Sequence, residues 1–178
     1  MTTPPAASGE INCGIRLKRV TPEEFTNLYR GFLPQISGYL VRRCDRSDVE
    51  ELASRVFEIA WRKRSQAPEG FELAWLYRIA GFVVSNHRRA IQSETNFLMR
   101  FRPSDFAPSA EDIALADLEL SKAWRKLSGF EREAIALTAF EGMSHQDAAK
   151  VLEISPNAFT QRLAKARKTL KANLFLKN

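Results

Sequence analysis

The 178-residue chain has two cysteines, two histidines and eight glycines, and these scarcities exclude several functions at once. Cys13 and Cys44 stand alone, with no CxxC and no histidine beside them, so neither a zinc site nor a disulfide framework is expected. His87 and His145 lie far apart and form no HExxH pattern. The glycines make no GxGxxG. Gly9 to Gly14 has the spacing of a phosphate loop, but Ile15-Arg16 follows where lysine and a hydroxyl residue are needed. No catalytic residue, metal or cofactor is therefore expected. The longest run without a polar side chain is Ile79 to Val84, far short of the roughly 20 residues that cross a membrane. The opening MTTPPAASGEINCG lacks the basic patch and apolar stretch of a secretory leader. These absences predict a reduced, cytoplasmic protein with no membrane insertion and no small-molecule substrate.

Apolar residues make up 44% of the chain and charged residues 27%, so there is material for a core and full-length disorder is excluded. The net charge of +6 is unevenly placed. Ser155 to Asn178 holds six Lys or Arg and no acid, so everything before it sums to zero. From Pro103 to Ser121 the sign reverses, with five acids (Asp105, Glu111, Asp112, Asp117, Glu119) and no base. A basic end behind an acidic stretch suggests a polyanionic partner.

Hydrophobic periodicity is helical throughout, and no window alternates with the period of a strand. Residues 1–20 read as a tail with turn chemistry at Pro4-Pro5 and Ser8-Gly9. Thr21-Pro22-Glu23-Glu24 is a helix start, with Thr as cap, Pro at the first position and Glu three residues on. The helix that follows carries Phe25, Leu28, Phe32 and Leu33, and Pro34 is expected to bend or restart it. A second helix runs from Val49 to about Arg64. A third runs from Phe71 to Ala90, with Leu76, Ile79, Ala80 and Val83 as its core stripe and Trp75 beside them. Residues 93–117 lose periodicity and read as an acidic linker.

The last block is sharply punctuated. Ser128 and Glu131 make a capping box, Gly142 ends that helix, and Ser144 caps a short one with Asp147 three residues on. Ser155-Pro156 opens a longer basic helix to about Asn173. Short helix, tight turn and longer basic helix is a helix-turn-helix pattern. On a wheel of the last helix, Phe159, Leu163, Ala166 and Leu170 share the inner face. Asn157, Thr160, Gln161, Ala164, Lys165 and Lys168 share the outer face. Amide and cationic side chains around a small alanine suit the major groove, with Arg162, Arg167 and Lys171 on the flanks where phosphates run. The fold class expected is all-α, with two helical domains over 21–92 and 118–178 joined by a flexible acidic linker over 93–117.

Both blocks, in this order, resemble the extracytoplasmic-function sigma factors, the minimal two-domain class of bacterial transcription initiation factor. "FTNLYRGFLPQISGYL", "DVEELASRVFEIAW" and "WLYRIAGFVVSNHRR" resemble the family's sigma-2 domain. "LSGFEREAIALTAFEGMSHQDAAKVLEISPNAFTQRLAKARKTL" resembles its sigma-4 domain. The resemblance covers about 21–92 and 112–173. It implies a non-catalytic subunit that binds core RNA polymerase and gives it promoter recognition, reading the minus-ten element with the first domain and the minus-thirty-five element with the second. It also implies an anti-sigma factor that holds the protein inactive.

Carried over residue by residue, the resemblance places polymerase docking on Asp48, Glu50, Glu51, Leu52 and Arg55, although Ser54-Arg55 stands where the family usually has Gln-Glu. Minus-ten contacts fall on Phe82, Asn86, Arg88 and Arg89, with Phe82 where the family commonly has Asn. Phe82 can stack on a flipped base but lacks an amide's paired hydrogen bonds, so an atypical minus-ten preference is expected. Thr160, Gln161, Ala164 and Lys165 take the base-reading positions, and Thr160 replaces the usual Lys or Arg. The acidic linker has two open readings, a tether or a mimic of nucleic acid in the polymerase channel. The rival function is an operator-binding regulator that uses the same helix-turn-helix without being a polymerase subunit.

Overall fold

A computed structural model describes residues 17–18, 20–92, 107–109, 111 and 117–175. The tail through Arg16 and most of the linker, Asp105 and Asp112 among them, lie outside the described residues. Seven α-helices carry the fold: α1 (Pro22–Val41), α2 (Val49–Arg62), α3 (Glu72–Gln92), α4 (Leu118–Arg125), α5 (Gly129–Ala139), α6 (His145–Val151) and α7 (Pro156–Phe175). The all-α class holds. One addition is a two-residue antiparallel ladder, β1 (Leu17–Lys18) on β2 (Ala67–Pro68), which ties the segment before α1 to the loop before α3.

The starts of the helices follow their cap residues. Thr21 and Ser128 each sit in a full capping box, with Glu24 and Glu131 reaching back to the cap backbone. Asp117 caps α4 and Ser144 caps α6. Pro34 departs from expectation. It neither restarts nor ends α1, which runs through it as one 20-residue helix. Pro34 is exposed, so water can serve the carbonyl that loses its amide partner.

Helices α1, α2 and α3 pack mutually through Ile36, Leu40, Leu52, Val56, Leu76 and Ala80, all at most 2% exposed. Helices α4 to α7 close a second group over Leu137, Ala148, Phe159, Leu163 and Ala166. The buried residues of the two groups form one continuous cluster, because α3 packs against α6 and α1 meets α5. At that seam the Arg43 guanidinium is fully buried. Its Nη2 donates to both oxygens of Glu133 at 3.0 Å, and its Nη1 donates to Glu141 Oε1 and to the Tyr39 carbonyl, each at 3.0 Å. The plane lies 3.5 Å from the centre of the Tyr39 ring. Arg42 pairs with Glu141 alongside it. Four terminal N–H groups of Arg43 are thus satisfied, and only Nε lacks a partner.

Burial pushes the Glu133 carboxyl up to about 7, against the pull of Arg43, and the nearby Glu141 carboxylate adds to the rise. A carboxyl raised on folding binds its proton more tightly in the native state. Its contribution is complete below the unfolded value near 4.5 and is lost as the pH climbs through 7. Glu133→Gln should therefore abolish a component of stability, on the order of 2 kcal/mol, that the natural chain gains between pH 8 and pH 5. Urea unfolding of both proteins across that range measures the difference, and parallel pH profiles would refute it.

Candidate nucleic-acid interface

Helices α6 and α7 are joined by a turn in which Glu153 N–H donates to Lys150 O at 3.3 Å and Ile154 N–H donates to Ala149 O at 3.0 Å. This doubly bonded stop lets the short α6 end sharply at Val151 and α7 begin at Pro156. Phe159, Leu163 and Ala166 are buried and Leu170 half-buried, as the wheel requires. Asn157, Thr160, Gln161, Ala164, Lys165 and Lys168 are all exposed on the opposite side. Arg162 sits at the flank with its guanidinium 4.8 Å from the centre of the Phe130 ring. The Thr160 hydroxyl donates to Pro156 O at 3.0 Å and stands 3.1 Å from His145 Nδ1, with the His145 ring against Phe159. His145 is thus a neighbour of the reading face that the sequence reading did not assign. Only its place beside the Ser144 cap hinted at it.

On α3 the expected residues separate. Phe82 is 47% exposed and lines a cavity of about 370 Å³ with Trp75, Arg78, Ile79, Lys63 and Gln66. Trp75, expected in the core, is half-buried and opens its ring to this cavity. The reason is register: Leu76 and Ile79 fill the interior, and Trp75 falls at the stripe's edge. An aromatic pair with lysine, arginine and glutamine around it can stack and charge-pair with an unpaired nucleotide. The signal was present in the sequence as Lys63 and Gln66, but they reach the cavity from the loop before α3, which spacing along α3 does not reveal. Asn86 is exposed one turn on.

Arg88 and Arg89 are less accessible than expected. Arg88 is half-buried, donating through Nε and Nη2 to the Arg43 carbonyl at 3.2 and 2.6 Å and through Nη1 to the Ala107 carbonyl at 3.0 Å. Arg89 donates to Ser85 Oγ at 2.6 Å. Ala107 and Pro108, inside the expected linker, are buried, and the Trp124 indole N–H donates to Pro108 O at 3.2 Å. Of the remaining acids there, Glu111 pairs with Arg125 and Asp117 caps α4.

On α2, Glu50, Glu51 and Arg55 are exposed on one side, and Asp48 at its start lies 3.0 Å from His87 Nε2. Leu52, also carried over as a docking position, is 2% exposed. It faces the core because α2 needs an apolar stripe against α1 and α3, and it can serve docking only by holding the helix in position.

The geometry defines a class before any comparison: an all-helical protein whose second group of helices is a helix-turn-helix with its polar face to solvent. Residues 117–170 match the model of the family described as "Sigma-70, region 4". The chain is 32% identical over 142 residues to the RNA polymerase sigma factor NccH of Alcaligenes xylosoxydans xylosoxydans, covering 72% of this chain and 74% of that one. It is 31% identical over 105 residues to the ECF RNA polymerase sigma factor SigC of Mycobacterium tuberculosis, covering 56% and 55%. Among solved structures, CnrH in complex with the cytosolic domain of CnrY superposes with a TM-score of 0.56 at 27% identity, over 89% of this chain and 92% of that one. The sigma factor RpoE of Bartonella quintana, solved with the anti-sigma factor NepR, shares the fold at TM-score 0.58 and 23% identity, over 88% and 99%. This chain belongs to the extracytoplasmic-function family of RNA polymerase sigma factors. Among the described residues no helix is long and apolar enough to cross a membrane.

The engagement of Arg88 has a measurable consequence. Arg88→Ala should lower global stability by about 2 kcal/mol, since three charge-assisted bonds to carbonyls vanish and the carbonyls of the buried Arg43 and Ala107 lose their donor. Chemical denaturation tests this, and an unchanged midpoint would return Arg88 to the set of side chains free to touch DNA.

Proposed function

We propose that this sigma factor binds core RNA polymerase, in the cytoplasm, and directs it to a small set of promoters. The polymerase supplies the chemistry. The helices over 118–178 would read the minus-thirty-five element as duplex, with Gln161, Asn157 and Lys165 on base edges, Ala164 allowing close approach, and Lys168 and Arg162 toward phosphates. The helices over 21–92 would take the minus-ten element as a separated strand, with Phe82 and Trp75 stacking on a base and Asn86 contacting the strand beyond. Phe82 reads a base by stacking alone, which supports a looser sequence preference at that position. Glu50, Glu51 and Arg55 would dock on the polymerase, with Asp48 fixing the start of α2. The related sigma factors solved with CnrY and NepR support an anti-sigma partner for this chain too.

The observation that carries the reading is the exposed face of α7, where every residue expected to face DNA does face solvent and none of them belongs to the core. Mixing the protein with sigma-free core polymerase should give a co-eluting complex that starts transcripts at discrete sites on promoter fragments from its source. Failure to bind core, together with tight binding of promoter duplex by the protein alone, would favour an operator-binding regulator instead. Gln161→Ala combined with Lys165→Ala should reduce promoter-specific initiation by about ten- to a hundredfold, the scale of losing one good base contact. Co-elution with core should be unchanged, and a joint loss of both would show that α7 serves docking rather than reading.

A further inference from the structure

One position on the outer face of α7 is already engaged by a side chain from α6. The Thr160 hydroxyl has a single proton, and it goes to Pro156 O at 3.0 Å, four residues back. Its oxygen can then only accept, and His145 Nδ1 stands 3.1 Å away. Nδ1 therefore carries a hydrogen and donates to Thr160. The His145 ring also lies against Phe159, with 5.6 Å between ring centres. Two residues of α7 thus hold an otherwise exposed imidazole, and among the described residues nothing engages its Nε2. Protonation leaves this clamp intact, because Nδ1 is a donor in both forms. Only Nε2 changes, from acceptor to charged donor. The charged groups of the elements around the ring have other partners or stand further along. On α6, Asp147 accepts from Ser144 Oγ at 2.7 Å. Before α6, Glu141 is turned into the seam against Arg42 and Arg43. Lys150 and Glu153, which meet α3, are engaged with Phe71 and Arg78. The α7 residues in contact are uncharged, and Lys165 and Lys168 follow them on the same exposed face.

We propose that His145 is a pH-dependent phosphate contact: as an imidazolium it donates from Nε2 to the DNA backbone, while Thr160 aims the ring instead of touching DNA itself. The inference rests on the reading of α7 as the helix that faces duplex DNA, and it adds a contact from α6. The first helix of a helix-turn-helix crosses the phosphate backbone while the second lies in the groove. A side chain of α6 fixed on the outer face of α7 stands where the two meet. A neutral Nε2 presents a lone pair, which a phosphate repels. The protonated ring presents a charged donor, the kind of group that phosphate binds most strongly. Duplex binding then takes up one proton. The contact is complete at low pH and is lost as the pH rises through the range in which imidazoles discharge. The lysines and arginines of α7 supply the constant part of the phosphate attraction, and His145 supplies the variable part.

The test uses the full chain and a fluorescein-labelled duplex of mixed sequence, followed by anisotropy at about 50 mM salt, where phosphate contacts dominate. Between about pH 8 and about pH 5.5 the natural chain should tighten by about five- to tenfold, and its log–log salt slope should steepen by about 0.9, the value of one added phosphate contact. His145→Ala should lose this gain and bind alike at both ends of the range. His145→Lys should bind without pH dependence, about as tightly throughout as the natural chain does in acid. His87→Gln, which removes the only other histidine, should keep the natural profile. Lys165→Ala combined with Lys168→Ala should weaken binding at every pH and retain the acid gain. If that pair of changes leaves binding unaltered, α7 is not the DNA-facing helix and the proposal falls with that reading. If it weakens binding while His145→Ala keeps the full acid gain, the reading of α7 stands and the His145 contact is refuted.

Discussion

A fully buried guanidinium at the meeting of two helix groups governs how this molecule is put together. Arg43 leaves the end of α1 and reaches between them, and Glu133 and Glu141 come to it from α5 and the turn beyond. An uncompensated charge in that position would be very costly, so the seam forms with the Glu141 carboxylate and the accepting oxygens of Glu133 in place or does not form in this geometry. The same constraint explains the neighbours. Tyr39 backs the guanidinium with its ring and supplies a carbonyl, and Tyr77 packs against Tyr39 at 5.1 Å between ring centres. Arg88 then caps the Arg43 carbonyl and binds that of Ala107, which ties the far end of the linker to α3. One charge thus sets the relation of α1, α3, α5 and the segment before α4.

Ion clusters of this kind specify geometry more than they stabilise it. Desolvation of Arg43 and Glu133 offsets most of their attraction, and an apolar seam of equal volume would hold as well or better. What an apolar seam would not do is choose one orientation or come apart cleanly in water. Charged groups buried here are hydrated on opening, whereas the apolar contact of α3 with α6 beside them loses its partner surface.

Much of the fold was legible because its punctuation is local. Thr21, Ser128, Ser144 and Gly142 act within four residues of themselves, and the stripe Phe159, Leu163, Ala166, Leu170 needs only a period of 3.6 to be read. The acidic-to-basic charge pattern and the outer face of α7 were legible for the same reason. What escaped depends on contacts between segments distant in sequence. Arg43 and Glu133, 90 residues apart, look like any other surface charges in the chain. Arg88 matches a family position for contact, yet it is drawn to the backbone carbonyls of Arg43 and Ala107, which lie on segments distant from it in sequence. Trp75 was half legible: it packs on the core as a large aromatic at that spacing should, but its second role at the cavity edge depends on what the loop before α3 brings beside it.

The closed arrangement treats the two proposed reading surfaces unequally. The outer face of α7 points away from the seam and is exposed along its whole length, whereas the cavity on α3 has a residue of the helix-turn-helix at its rim. Duplex DNA offers its edges and phosphates without prior change and can meet an exposed helix. A separated strand exists only after the duplex has been opened, and a cavity of aromatic and cationic groups left open before then would hold any single strand or acidic segment it met. Covering the second surface and leaving the first exposed matches the order in which the two forms of DNA become available.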